Sequence, residues 1–239
     1  MNSTPNTLVL KGISSKATQV VLAELSDVYA SQTAIRVEVE SVGGVDAAKR
    51  VQAGEAFDVV LLASDAIERL MASGHLQRDS RQDWVDSPIA VAVQAGAPTP
   101  SLTNETDLRQ AVMNAPTLSY STGPSGVYLE QLFTRWGLMD TLKPRIVVPP
   151  PGTPVGSLVA QGQVALGFQQ LSELIAIPGL HVLGCLPPDV AYITTFSAGI
   201  PVPVAADTQR QRAIQGFLTF LTSPQALPIK QRHGMDWAR

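Results

Sequence analysis

The feature that most constrains this chain is a regular alternation of short apolar runs and amphipathic stretches, punctuated by glycine. Leu8-Val9-Leu10 is a short apolar run leading to Gly12, and Ser14 or Ser15 is placed to cap the helix that follows. Val21, Leu25, Val28 and Tyr29 fall at i, i+4, i+7 and i+8, which is one helical face. Ile35–Val39 alternates as a strand does, and Gly43-Gly44 is a turn. Val45–Ala53 reads as a helix stopped by Gly54. Asp58–Leu62 is a continuous apolar run, the pattern of a strand covered on both faces, and a short helix follows to about Ala72, closed by Gly74. This βαβαβα order predicts a parallel sheet with right-handed crossovers.

A second stretch begins with a strand over Ile89–Val93, followed by Gly96, Pro98 and Pro100. Helices are expected over Asn104–Met113, Ser125–Trp136 and Val155–Ala160, and strands over Thr117–Ser121, Arg145–Val148 and Val164–Phe168, with a stiff turn at Pro149-Pro150-Pro151-Gly152. Val190–Phe196 reads as a strand running back to the first lobe. Gln209–Leu221 reads as a helix with Ile214, Leu218 and Leu221 on one face, and a shorter segment runs from Ser223. The expectation is an α/β protein of two Rossmann-like lobes, residues 1–90 plus 195–239 and residues 91–194, joined by two crossing strands with a ligand cleft between them.

Composition narrows the functional classes. Net charge is −3 and pI is near 5.6, so the chain lacks the basic field that a nucleic-acid partner requires. Its apolar runs fall far short of the ~20 residues that span a bilayer, which argues against membrane insertion. Residues 1–7 carry neither a basic start nor an apolar core, so the sequence as written reads as cytoplasmic, or as periplasmic if a leader has been clipped. The single cysteine, Cys185, reads as a small core residue. His75, His181 and His233 lack metal-ligand spacing, so no metal is expected, and both His75 and His233 read as solvated.

The chemistry is expected where strands run into helices. In open α/β sheets ligands sit beyond the carboxyl ends of strands, where helix N-termini offer free N–H groups to anions. Four such turns are rich in small and hydroxyl residues: Gly12-Ile13-Ser14-Ser15, Val42-Gly43-Gly44, Ala63-Ser64-Asp65, and Ser121–Gly126, which includes Thr122, Ser125 and Gly126. In the last, Pro124 suits the first turn of a helix. Ser and Thr are also ordinary helix caps, so two readings stand side by side. Gln169 and Gln170, at the end of a strand, are either donors to ligand carboxylates or solvated amides.

These turns carry a family resemblance. Residues 9–30 (VLKGISSKATQVVLAELSDVYA), 51–64 (VQAGEAFDVVLLAS), 120–138 (YSTGPSGVYLEQLFTRWGL), 158–168 (LVAQGQVALGF) and 217–235 (FLTFLTSPQALPIKQRHGM) resemble the periplasmic molybdate-binding proteins of ABC transporters, with their type II solute-binding fold. Ser14 or Ser15 matches the family's first-turn serine, and Ala63-Ser64 match its third turn. The family's second-turn serine is Gly43-Gly44 here, and its pocket tyrosine gives way to Phe168-Gln169-Gln170. These departures imply a ligand that bears carboxylates. The segments YSTGPSGVYLEQLFTRWG and LGFQQLSEL also resemble the enzymatic subgroup that includes bacterial aconitate isomerase.

Two functions follow from the resemblance. One is an isomerase that moves an allylic proton between trans- and cis-aconitate without a cofactor. Ser14, Ser15, Gly43, Gly44, Ala63, Ser64, Thr122, Ser125, Gly126, Gln169 and Gln170 would bind the ligand, Lys16 or Arg50 would add charge, and Lys16, Tyr120 or Tyr128 would carry the proton. The other is a non-catalytic receptor for molybdate or another small anion, partnered by an ABC transporter permease. A sensor domain cut from a transcription regulator is a third reading, but no DNA-binding segment accompanies it.

Overall fold

The structure is a computed structural model, and it describes residues 8–150, 152–203 and 208–239. The expectation about a leader in residues 1–7, and the Pro151 of the stiff turn, lie outside the described residues. The chain divides into two units, Met1–Asp86 with Thr195–Arg239, and Ser87–Thr194.

In the first unit, β1 (Leu8–Ser15), α1 (Gln19–Gln32), β2 (Ile35–Val42), α2 (Gly44–Gln52), β3 (Val59–Ala63) and α3 (Ser64–Ala72) follow in order. β1 lies between β2 and β3 and runs parallel to both, with Ser14 opposite Ser41 on one side and Leu61 on the other. Every residue of β3 is buried, because β1 and the returning strand β8 (Ile193–Gly199) flank it and helices cover its faces. β8 pairs antiparallel with β3, so the all-parallel expectation holds for the first three strands only.

Two cores fill this unit. One packs α1 and α9 (Thr208–Leu221) on the sheet through Leu22, Leu25, Tyr29, Phe217 and Leu221. The other sets Ala47 and Val51 of α2 and Ile67 and Leu70 of α3 against Ile13, Val60 and Leu62. α10 (Leu227–Arg232) closes the chain, and its His233 cap lies 2.7 Å from Glu24 of α1, so this histidine is paired rather than merely solvated.

The long strand β4 (Gln82–Gln94) carries the chain into the second unit and starts seven residues earlier than its apolar run suggests. There α4 (Glu105–Asn114), capped by the Asn104 side chain, leads to β5 (Leu118–Tyr120). α5 (Pro124–Arg135), α6 (Met139–Leu142), α7 (Val155–Ala160), β6 (Leu166–Gln170), α8 (Leu171–Leu174) and β7 (Leu180–Cys185) follow. The sheet order is β5-β6-β4, with β7 on the other side of β4. β5 and β6 are parallel, whereas β4 is antiparallel to both of its neighbours. Leu108, Leu129, Phe133, Leu166 and Phe168 form the core of this unit.

Three expectations are corrected here. The segment 145–148 is not a strand: Lys143–Arg145 is a 3-10 turn, and a single bridge joins Ile146 to Leu118. The prolines that follow supply no N–H to extend that pairing. Residues 188–190 form another 3-10 turn, so β8 starts only at Ile193. Cys185 is exposed at the end of the edge strand β7 and is not a core residue.

The first unit also buries a charge. Lys230 is fully buried; its Nζ donates to the Trp84 carbonyl and lies 4.9 Å from the Trp237 ring and 5.8 Å from that of Trp84. Burial pushes its pKa from the ordinary 10.5 down to about 8, partly opposed by the charge of Asp236. Between those values the unfolded chain holds the proton that the folded chain has released, so stability rises with pH in that window. Urea titrations from pH 8 to 10.5 are expected to show roughly 1–3 kcal/mol of such gain in the native protein and much less in Lys230→Met.

Candidate functional site

Three of the four turns lie in the first unit, at the carboxyl ends of β1, β2 and β3. Ser14 is fully buried, and its Oγ lies 2.6 Å from Ser41 Oγ, a contact set by the pairing of β1 with β2. The sequence reading passed over Ser41, although it sits two residues before Gly43. Ser15 ends β1 in an extended conformation, but its side chain makes no cap. Its carbonyl accepts from Thr18 Oγ1 at 3.1 Å, whereas its Oγ is buried with no hydrogen-bond partner. Buried hydroxyls are nearly always paired; among the described residues Ser26 and Ser119 share this unpaired state, but Ser15 alone of the three lies at one of the four turns.

The start of α2 lies next to that hydroxyl. A Cβ added to Gly44 would stand 3.7 Å from Ser15 Cβ, and the carbonyl of Gly43 accepts the first helical bond, from Ala47 at 2.8 Å. The N–H groups ahead of Ala47 are those that no helix satisfies internally. Asp46 adds a negative charge to this turn.

Ser64 opens α3, and Ala63 before it has the extended dihedrals of a cap. Its Oγ lies 2.9 Å from the Thr195 carbonyl and 2.6 Å from Ser197 Oγ. Ser197 donates onward to Asp83 at 2.5 Å. Asp83 is clamped by Arg81 through two bonds of 2.8 Å, which hold its carboxyl below the usual range. No local signal in the sequence links Ser64 to Ser197 or Asp83, because strand pairing alone brings them together.

The fourth turn lies in the second unit. Ser125 is buried, with its Oγ 2.7 Å from Ser121 Oγ, and Thr122 is exposed. Gly126 is obligatory, since a Cβ there would fall 1.6 Å from the Ser121 carbonyl oxygen. The first turn of α5 contains no acidic residue, so nothing on the helix itself offsets its positive dipole end.

Both glutamines are held by the protein. Gln169 accepts from the Gly156 N–H at 3.0 Å and donates to Glu173 at 2.8 Å. The Gln170 amide, oriented to satisfy both of its ends, donates to the Ser87 and Pro88 carbonyls at 3.0 and 3.2 Å and accepts from Thr194 at 2.7 Å. They are buried, not solvated, and their amide groups are taken up within the unit.

The proton-carrying candidates separate sharply. The Tyr120 hydroxyl donates to Glu130 at 3.2 Å, and burial, helped by that carboxylate, pushes its pKa up to about 12. Tyr128 donates to the Val190 carbonyl at 2.8 Å, stacks on Tyr192 with ring centroids 4.4 Å apart, and is likewise raised by burial. Neither phenol is poised to accept a proton near neutral pH. Lys16 is exposed, with its Nζ 3.2 Å from Gln19. Arg50 is bound by both Glu55 and Glu40, which raise its pKa, and its charge is therefore committed. Among the described residues, no group of histidine, cysteine and acidic side chains could hold a metal ion.

The family model for bacterial extracellular solute-binding proteins matches residues 10–236. The chain belongs to that family. This solute-binding protein is 34% identical to an aconitate isomerase from a Pseudomonas species over 231 residues, covering 93% of this chain and 86% of the relative. Among solved structures it resembles the periplasmic molybdate-binding protein of Azotobacter vinelandii, with a TM-score of 0.78 and 22% identity, covering 96% of this chain and all of that one. It also resembles the Peb3 protein of Campylobacter jejuni in its L-phospholactate-bound form, with a TM-score of 0.73 and 16% identity, again over 96% of this chain and all of that one. These likenesses fix the fold as that of the periplasmic solute-binding proteins of the molybdate-binding type. No helix among the described residues is long and apolar enough to cross a membrane.

The unpaired Ser15 hydroxyl of this solute-binding protein gives a test that separates ligand binding from stability. Removing a buried, unpaired polar atom costs no hydrogen bond in the protein. Ser15→Ala is therefore expected to unfold at the same temperature or slightly higher, a gain of up to about 1 kcal/mol. Its affinity for anions, measured by titration calorimetry, is expected to fall.

Proposed function

We propose that this chain binds a small polycarboxylate at the strand-to-helix turns of its first unit and interconverts the trans and cis isomers of aconitate. The observation that carries the reading is the 34% identity to aconitate isomerase over 93% of the chain. The turns of the first unit supply suitable chemistry, with the unpartnered Ser15 hydroxyl beside the start of α2. They can hold carboxylates by hydrogen bonds from N–H and O–H groups.

The reaction moves a proton from one carbon to another while the double bond shifts. It balances without an external reactant, because the proton that leaves is returned. As it leaves, negative charge spreads onto a carboxylate, and donors fixed at that oxygen lower the barrier. Ser15 is the residue assigned to that role. With both phenols tied and raised, Lys16 is the candidate left to move the proton.

A second reading, a receptor for a small anion that serves an ABC transporter, is favoured by the molybdate-binding fold. On that reading the protein works in the periplasm.

A thermal-shift panel with cis- and trans-aconitate, tricarballylate, citrate, phosphate, sulfate and molybdate, followed by an isomerisation assay, separates the two. At a hundredfold excess over its Kd, a ligand that binds only the folded chain stabilises it by about 2.7 kcal/mol, roughly 5–10 °C for a chain of this size. The expected outcome is a shift with the aconitates and turnover of trans-aconitate. A shift with molybdate alone, and no turnover, would establish the receptor reading instead.

A further inference from the structure

Hydrogen positions at the start of α3 can be assigned by counting protons. Asp83 is clamped in two places by Arg81 and is ionised, so it only accepts. Ser197 is 2.5 Å from Asp83 Oδ1 and gives its one proton to that oxygen. Ser197 Oγ can then only accept from Ser64, which lies 2.6 Å away. The other neighbour of Ser64, the Thr195 carbonyl at 2.9 Å, is also only an acceptor. Whichever of the two takes the proton, the Ser64 hydroxyl points it into the protein. Ser64 is only partly buried, and its outward side presents lone pairs.

We infer that Ser64 meets the bound anion as a hydrogen-bond acceptor and takes a protonated carboxyl group of a polycarboxylate rather than a bare oxyanion oxygen. This inference rests on the proposed polycarboxylate site. A serine at the start of a helix ordinarily adds a donor to an anion site; here that donor is spent inward, by side chains that lie far from Ser64 in sequence. The neighbouring Asp65, paired with Arg69 at 2.8 Å, is an acidic side chain in the first turn of α3. An oxyanion without protons gains nothing from the Ser64 hydroxyl and meets its lone pairs. A polycarboxylate that keeps one proton can donate it there, and the unpartnered Ser15 hydroxyl of the same unit remains a donor for an ionised group.

The test counts protons. Titration calorimetry with tricarballylate, a saturated tricarboxylate with no double bond to shift, is run at neutral pH in buffers of differing ionisation heat. The heat difference gives the protons taken up with the ligand. The native chain is expected to take up a large fraction of about one proton per ligand bound. Ser64→Ala is expected to take up close to none and to bind several-fold more weakly. Ser64→Thr, which keeps the hydroxyl, is expected to restore the uptake, and this distinguishes a lost acceptor from a damaged turn. Binding by the native chain with no proton uptake, or equal uptake by Ser64→Ala, would overturn the inference while leaving the polycarboxylate site standing. If neither tricarballylate nor the aconitates bind the native chain, the proposed function itself fails, and the inference with it.

Discussion

The rest of the first unit depends on the burial of β3. A strand whose five residues are all buried must find every backbone partner inside the protein. β1 supplies them on one edge and the returning β8 on the other. This obligation brings the C-terminal part of the chain back beside its first hundred residues. It places Ser197 and Thr195 next to Ser64, and it leaves β1, β2 and β3 side by side with their carboxyl ends turning directly into helices. The proposed anion chemistry is thus a by-product of satisfying a buried strand: wherever parallel strands end together, helix N-termini and small residues gather too.

Much of the alternation was legible where a strand or helix follows its own period, although β7, α6 and α8 were not read. β3 reads as an unbroken apolar run, α1 as a stripe at helical spacing, and α7 shows its bounds plainly, between Pro154 and Gly162. The failures have equally local causes. Val147 and Val148 favour a strand by composition, but Pro144 before them and Pro149 after them remove the donors that a ladder needs. Cys185 lies in an apolar stretch that turned out to be an edge strand, where side chains of either kind meet solvent. The antiparallel placement of β8 has no signature in its own residues, since direction is set by which way the chain returns.

The site was legible only as a set of turns. Gly126 and Pro124 announce their turn because one must be free of a Cβ and the other fits a first helical position. Residue type does not reveal what a hydroxyl is doing. Ser14, Ser15, Ser64 and Ser125 look alike in the sequence, yet the structure gives them four situations: paired to Ser41, unpaired, wired to Asp83, and paired to Ser121. The glutamines show the same point in reverse. Two adjacent amides at a strand end suggest ligand recognition, but a buried amide is stable only when both of its ends are satisfied, and here the protein satisfies them.

The contrast between Ser15 and Ser64 bears on how one fold changes ligand without changing shape. A hydroxyl has one proton, and the group that captures it decides what the hydroxyl offers outward. At Ser15 nothing in the protein takes that proton, so the site keeps a donor for an ionised oxygen. At Ser64 an arginine-held carboxylate, acting through Ser197, draws the proton inward and turns the same residue type into an acceptor. A change at Asp83, on the far side of two hydrogen bonds, frees Ser197 to donate to Ser64 and leaves the Thr195 carbonyl as the group that draws the Ser64 proton inward. Specificity in such a protein can therefore be set one layer behind the surface that the ligand touches, where a comparison of contacting residues alone would not find it.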